Sequence, residues 1–312
     1  MTPTTTKGAV RRPAARRGVM QRALAGPVLV AGDVNETSNG ALRLGELLAR
    51  RDRVNVHVLG TIRSLGFPVS AFAKIDAEAV EAGRRAQLLK ELRQRVHRTV
   101  GRSALFSVDA ATGSPARILA ADAEERRSAC ILIGLAPLGT PERAGGEDEI
   151  LQVASIANVP VVGVPADQEV LPKRALVALD FGESSRRSAM LALSLLATQS
   201  TLVLAHVEPD ADLRALGQDG LAAIYESGVT ALFERLINEM EGMDVTVETM
   251  LLKGDAAPSL LTEVASGAYD LVACGTQGVS ALDRHFAGSV STALLRGCSC
   301  SVLIAPPTGD DA

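Results

Sequence analysis

The chain contains the same pattern twice. Cys130-Ile-Leu-Ile-Gly134 matches Leu271-Val-Ala-Cys-Gly275, and Val159-Pro-Val-Val-Gly-Val-Pro165 matches Cys300-Ser-Val-Leu-Ile-Ala-Pro306. Gly113-Ser-Pro-Ala-Arg-Ile-Leu likewise matches Gly254-Asp-Ala-Ala-Pro-Ser-Leu-Leu, and one offset of 141 residues aligns everything from Gly113 to Pro165 without a gap. Upstream, Pro27-Val-Leu-Val-Ala-Gly-Asp33 matches Arg174-Ala-Leu-Val-Ala-Leu-Asp180, and Val54-Asn-Val-His57-Val matches Leu202-Val-Leu-Ala-His206-Val207. A repeat of this length is a whole module with its own core, so the fold must be one that about 140 residues can complete. The expected organisation is a basic tail over 1–25, a first module over 26–167, a linker around 166–172 and a second module over 172–308.

Within each module, short Val-rich apolar runs alternate with segments of helical period. That alternation predicts a doubly wound α/β fold, a parallel sheet covered on both faces. In the second module it predicts strands near 174–180, 201–207, 245–251, 270–275 and 300–305. Helices are predicted near 184–198, 220–241, 256–267 and 289–297. Such sheets bind ligands beyond the carboxyl ends of their strands, where the strand order reverses. Asp180, at the end of a first strand, and Gly275, after a fourth, both belong at that edge.

The run Gly275-Thr-Gln-Gly278 is followed by Gly288-Ser289-Val290-Ser291 at a predicted helix start. Glycines permit close approach of the main chain to an anion. A helix start adds free N–H groups and a favourable dipole, so strand, glycine loop and helix together make a phosphate cradle. Arg284 and His285 lie in the intervening stretch, within reach of phosphate or simply solvated. Ser289 reads equally as an N-cap, and Asp180 equally as a turn residue after a strand.

The gapless alignment shows the first module departing from this pattern. Gly134 stands opposite Gly275, but Pro137 replaces Gly278, Glu147 replaces Gly288 and Asp148 replaces Ser289. Proline removes a backbone donor, and Glu147, Asp148 and Glu149 place negative charge at the expected helix start, in the role a phosphate has in the other copy. The first module is expected not to bind nucleotide through this loop and to act as an interaction and pairing half.

These features resemble the universal stress protein family. Gly275, Gly278, Gly288 and Ser289 match every position of its G-x2-G-x9-G-[ST] pattern, Asp180 matches the Asp that ends its first strand, and Val207 matches the small residue at the end of its second. The resemblance covers roughly residues 26 to 307. It implies a Rossmann-like five-stranded parallel sheet, similar to adenine-nucleotide α-hydrolase folds, that binds ATP or another adenine nucleotide. It further implies that Asp180 and Val207 contact the adenosine part and that Gly275, Gly278, Gly288, Ser289, Val290 and Ser291 hold the phosphates. The family's assembly as a dimer implies a tandem pseudo-dimer here, with homodimerisation a further expectation.

Composition narrows the function. The net charge is −4, but Lys7, Arg11, Arg12, Arg16, Arg17 and Arg22 occupy an acid-free start, which leaves about −10 on the rest. That acidic body, with 3% aromatic residues and no Trp, gives no support to nucleic-acid binding. No apolar run reaches the length of a membrane span, and the tail lacks an apolar signal core, so a cytoplasmic protein is expected. Cys298-Ser-Cys300 lacks zinc spacing, and the lone strand cysteines Cys130 and Cys274 read as small hydrophobes. His57 and His206 are expected at matching positions on the second strands as packing residues. An apolar stripe of Leu221, Ile224, Leu232 and Leu236 is expected to face the core.

No P-loop Lys, catalytic base or set of acids for Mg²⁺ accompanies the cradle. The expected function is therefore a nucleotide-sensitive stress or metabolic regulator that acts through a protein partner, with ATP, with or without Mg²⁺, in one site of the second module. The alternatives are a slow ATPase, with Asp283 near a Mg²⁺, and a nucleotide-independent scaffold with a vestigial loop.

Overall fold

A computed structural model describes residues 23–63, 77–208, 219–276 and 288–306. The chain separates into two compact units, one over Leu24–Val170 and one from Leu171 onward. In the first, strands β1 (Val28–Gly32), β2 (Val56–Ile62), β3 (Phe106–Thr112), β4 (Cys130–Leu135) and β5 (Val161–Pro165) alternate with helices. These are α1 (Asn39–Asp52), α2 (Ala77–Val100), α3 (Pro115–Glu125) and α4 (Pro141–Ile156). The second unit repeats the plan with β6 (Arg174–Leu179), α5 (Glu183–Leu195), β7 (Ser200–Glu208), α6 (Asp219–Glu239), β8 (Val245–Lys253), α7 (Ala256–Val264), β9 (Leu271–Gly275), α8 (Ser289–Gly297) and β10 (Ser301–Ala305).

The strands of the first unit lie in the order β3-β2-β1-β4-β5 and those of the second in the order β8-β7-β6-β9-β10. Every pairing inside each unit is parallel. The fold is the doubly wound α/β fold, and the order reverses between β1 and β4 and between β6 and β9. Central strands are buried on both faces: Val28, Leu29 and Val30 in β1 and Ala175, Leu176 and Val177 in β6 are fully buried. Continuous aliphatic runs are what such a strand requires, because helices cover both of its faces.

Helices bury single stripes. α6 buries Val229, Phe233 and Leu236, a spacing that keeps one face of a helix. This corrects the expected stripe: Ile224 and Leu232 are 69% and 42% exposed, and the side chain of Leu221 lies outside the described residues. The buried stripe instead runs through Val229 and Phe233, which leaves Ile224 and Leu232 at the surface. In the charged helix α2, Leu92 and Val96 are buried and His97 is exposed.

Candidate functional site

The carboxyl edge of the second unit gathers several of the residues singled out by sequence. Asp180 follows β6, and its Oδ1 accepts hydrogen bonds from the Gly182 N–H at 2.9 Å and the Ser185 hydroxyl at 2.5 Å. It therefore braces the turn into α5. Asp33 does the same in the first unit, its Oδ1 accepting from the Asn35 N–H at 3.0 Å and its Oδ2 from Thr37 Oγ1 at 3.2 Å. The turn role is thus common to both units. Between Asp180 and α5, Phe181 adopts φ 61°, a left-handed conformation that is uncommon for a bulky residue.

Gly275 has a packing reason of its own. A Cβ there would lie 2.3 Å from Ser184 Oγ and 3.0 Å from the Ser184 carbonyl carbon at the start of α5. At Gly134 it would lie 2.2 Å from the Thr37 carbonyl oxygen. Both glycines let a helix start approach the neighbouring strand, so the retained glycine of the first unit needs no ligand to explain it.

Gly288 is the N-cap of α8, and its N–H donates to the Thr276 carbonyl at 2.7 Å. No side chain caps this helix. Ser289 is the first helical residue and is exposed, which corrects its reading as the cap. Ser291 is 1% exposed, and its hydroxyl turns back to donate to the Gly288 carbonyl at 2.9 Å. The first intrahelical bond runs from the Thr292 N–H to Gly288 O at 3.0 Å. The N–H groups of Ser289, Val290 and Ser291 therefore face the helix mouth without a capping side chain. At the same place Thr276 is 5% exposed, and its hydroxyl oxygen has no hydrogen-bond partner among the described residues. Gly278, Asp283, Arg284 and His285 lie outside the described residues.

Val207 is half-buried near the end of β7, paired with Leu252 of β8. Its neighbour His206 anchors a cluster that sequence reasoning missed. His206 Nδ1 lies 2.7 Å from the Leu179 carbonyl and Nε2 2.9 Å from the Tyr225 hydroxyl. A carbonyl can only accept, so Nδ1 carries the proton when the ring is neutral, and Nε2 accepts from Tyr225. The Phe181 ring packs against His206 at 4.9 Å and against Phe233 at 5.1 Å. In a chain with only six Phe and two Tyr, the placing of Phe181 directly after Asp180 was the available signal.

The two histidines are not counterparts. His206 pairs with Leu179 at the end of β6, whereas His57 pairs with Leu29 near the start of β1. The residue at the His206 rung in the first unit is Gly60, where a Cβ would lie 2.4 Å from Leu92 Cδ1. Matching the strands by residue identity had placed them out of register. His57 is 5% exposed, with Nδ1 2.8 Å from Ser107 Oγ. Burial holds its pKa below the ordinary value, against the opposing pull of Asp122.

The first unit differs most where the cradle would be. α4 begins at Pro141, and Pro is favoured at a first helical position. Glu147 and Asp148 therefore lie inside the helix, not at its start as expected, and their N–H groups belong to the helix's own ladder. Glu147 accepts a hydrogen bond from Arg143 Nε at 2.6 Å, with the two side chains 8% and 4% exposed. Arg143 Nη1 also donates to the Ala136 carbonyl at 3.0 Å.

Burial pushes the Cys130 and Cys274 thiols up to about 12, so both stay protonated and pack as hydrophobes. Among the described residues no group of three or more His, Cys, Asp or Glu could hold a metal ion. No described helix is long and apolar enough to cross a membrane.

Comparison with known proteins separates the units in sequence and joins them in fold. Residues 172–306 match the model of the universal stress protein family. A Staphylococcus haemolyticus (strain JCSC1435) protein assigned to the universal stress proteins is 41% identical over 59 residues, which cover 19% of this chain and 36% of that protein. The crystal structure of a universal stress protein from Archaeoglobus fulgidus DSM 4304 aligns with a TM-score of 0.61 at 18% identity, covering 90% of this chain and 99% of that one. A functionally unknown protein from Pseudomonas aeruginosa PAO1 aligns with a TM-score of 0.57 at 15% identity, covering 92% and 95%. The second unit thus matches the universal stress protein family in sequence, and the chain shares the fold of these solved structures.

Proposed function

We propose that the second unit binds one adenine nucleotide, ATP foremost, and that the protein is a nucleotide-sensitive regulator acting through a protein partner. The observation that carries the reading is the uncapped start of α8 at the carboxyl edge of β9, whose neighbour β6 leads into Asp180. Three N–H groups and a helix dipole there await an anion. The Thr276 hydroxyl, buried and without a partner among the described residues, supports the same reading, since such a group calls for a partner. Phosphate would lie at Gly288–Ser291 and the adenosine part toward Asp180 and Val207. Any Mg²⁺ would arrive on the nucleotide. Turnover has no general base assigned to it, so binding rather than hydrolysis is the proposed activity.

The test is to purify the protein without added nucleotide, denature it and identify what is released by chromatography. Calorimetric titration of ATP then gives the stoichiometry, expected at about one per chain. Ser289→Asp adds an acid to a first helical turn, where it favours the helix but repels phosphate. It should weaken ATP binding at least about tenfold with the fold retained. Unchanged affinity would reject this site, and no binding at all by the unaltered protein would leave the nucleotide-independent scaffold.

A further inference from the structure

The first unit keeps a cleft although its phosphate cradle is gone. The space holds about 570 Å³ and opens at the carboxyl ends of β1, β2 and β4, where the strand order reverses. Open α/β sheets hold ligands at that place, and the volume is that of a small-molecule site. Its floor is apolar, with Leu59, Leu119 and Ile133 at 4%, 0% and 5% exposed. Its rim is charged, with Asp33, Glu142 and Glu149 facing one cation, Arg63.

The charges exclude the ligand proposed for the other unit. Arg143 is paired with Glu147, and among the described lining residues Arg63 alone is cationic against three carboxylates, which disfavours phosphate. Glu142 and Glu149 stand about two turns apart on one face of α4. Neither carboxylate accepts a hydrogen bond or forms an ion pair among the described residues. Asp33 is fixed at the mouth by Asn35 and Thr37. Burial, and then the charge of Asp33, hold the Glu149 carboxyl above its ordinary value, with Arg63 offsetting part of this. A bound cation would remove that repulsion. The second unit has Asp180 and Asp283 at the positions of Asp33 and Glu142 but Val290 at that of Glu149, so Glu149 is the acid particular to the first.

The geometry points to a second ligand site in the first unit, for a small molecule that carries a protonated amine on a compact apolar body. The ammonium sits beside Glu149, with Asp33 adding its charge and Glu142 two turns away at the rim, and the body lies toward Leu59 and Ile133. This inference is independent of nucleotide binding by the second unit.

Cadaverine is a suitable probe, with pentanediol as its uncharged counterpart and magnesium chloride as an inorganic cation. Titration of the full chain at low ionic strength should show saturable cadaverine binding at about one per chain, and no heat from the diol. The double variant Glu142→Gln with Glu149→Gln should bind cadaverine at least about tenfold more weakly while ATP binding is unchanged. Glu169→Gln, outside the cleft, should bind cadaverine as the unaltered chain does. Non-saturable binding, equal binding of the diol, displacement by equimolar magnesium or an unaffected double variant would each overturn the site. Retained circular dichroism and ATP affinity in the double variant exclude misfolding as the cause of a loss.

Discussion

The two units share strand order and helix placement, yet their last helices begin at different points. α8 starts at Ser289, and its aligned position in α4 is Asp148, well inside a helix that starts at Pro141. An extension of about two turns converts free N–H donors into ladder bonds. Arg143 and Glu147 then fill the vacated place with a neutral pair. The fold alone therefore does not decide whether a module of this kind can take phosphate. On the function proposed above, the starting residue of one helix does.

The sharpest way to break the comparison is at that pair. Arg143→Ala leaves Glu147 buried without its partner and should destabilise the first unit by about 3–5 kcal/mol. Arg143→Met with Glu147→Leu, which removes both charges at similar volume, should cost far less. Urea unfolding of both variants checks this, and equal losses would mean that the pair contributes packing alone.

A smaller effect is expected at the shared glycines. Gly275→Ala and Gly134→Ala should each destabilise their unit by about 1–3 kcal/mol, because the new methyl meets the start of α5 or the turn before α1. Similar losses at both would support the packing role. If Gly275→Ala weakened only nucleotide binding and left unfolding unchanged, its role would be ligand contact.

The smallest effect concerns Glu149. Its folded-state pKa is raised, chiefly by burial, above the ordinary 4.5. The native state therefore holds this proton more tightly than the unfolded chain does, and stability falls as pH rises from about 4.5 through the folded value. Glu149→Gln should remove that part of the slope and be the more stable form at neutral pH. Melting temperatures of both proteins across this range test it. A variant with the unaltered slope would place the pH dependence elsewhere.

Much of this architecture was legible beforehand. The gapless repeat and the Val-rich runs placed the strands and helices of the second unit within a few residues, as β6 at Arg174–Leu179 and α8 at Ser289–Gly297 show. These signals are local, set by burial on both faces of a parallel strand and by glycine at a helix start. Other features were not legible. His57 and His206 look equivalent by residue identity, but sheet register, a pairing between distant strands, sets them apart. Ile224 and Leu232 look like core by period, but the stripe of α6 that is buried in the fold runs through Val229, Phe233 and Leu236.

The sequence by itself determined the duplication, the α/β class, the strand edge that carries Asp180 and Gly275, and the loss of glycine at Glu147. All of these follow from the order of residue types along the chain. Only the tertiary structure decided that α4 begins at Pro141, that Arg143 closes on Glu147, that Gly134 and Gly275 serve helix–strand contact, and that a charged cleft survives in the first unit. Each of these depends on which distant groups meet in space, and packing and charge pairing settle that only after the sheet has assembled.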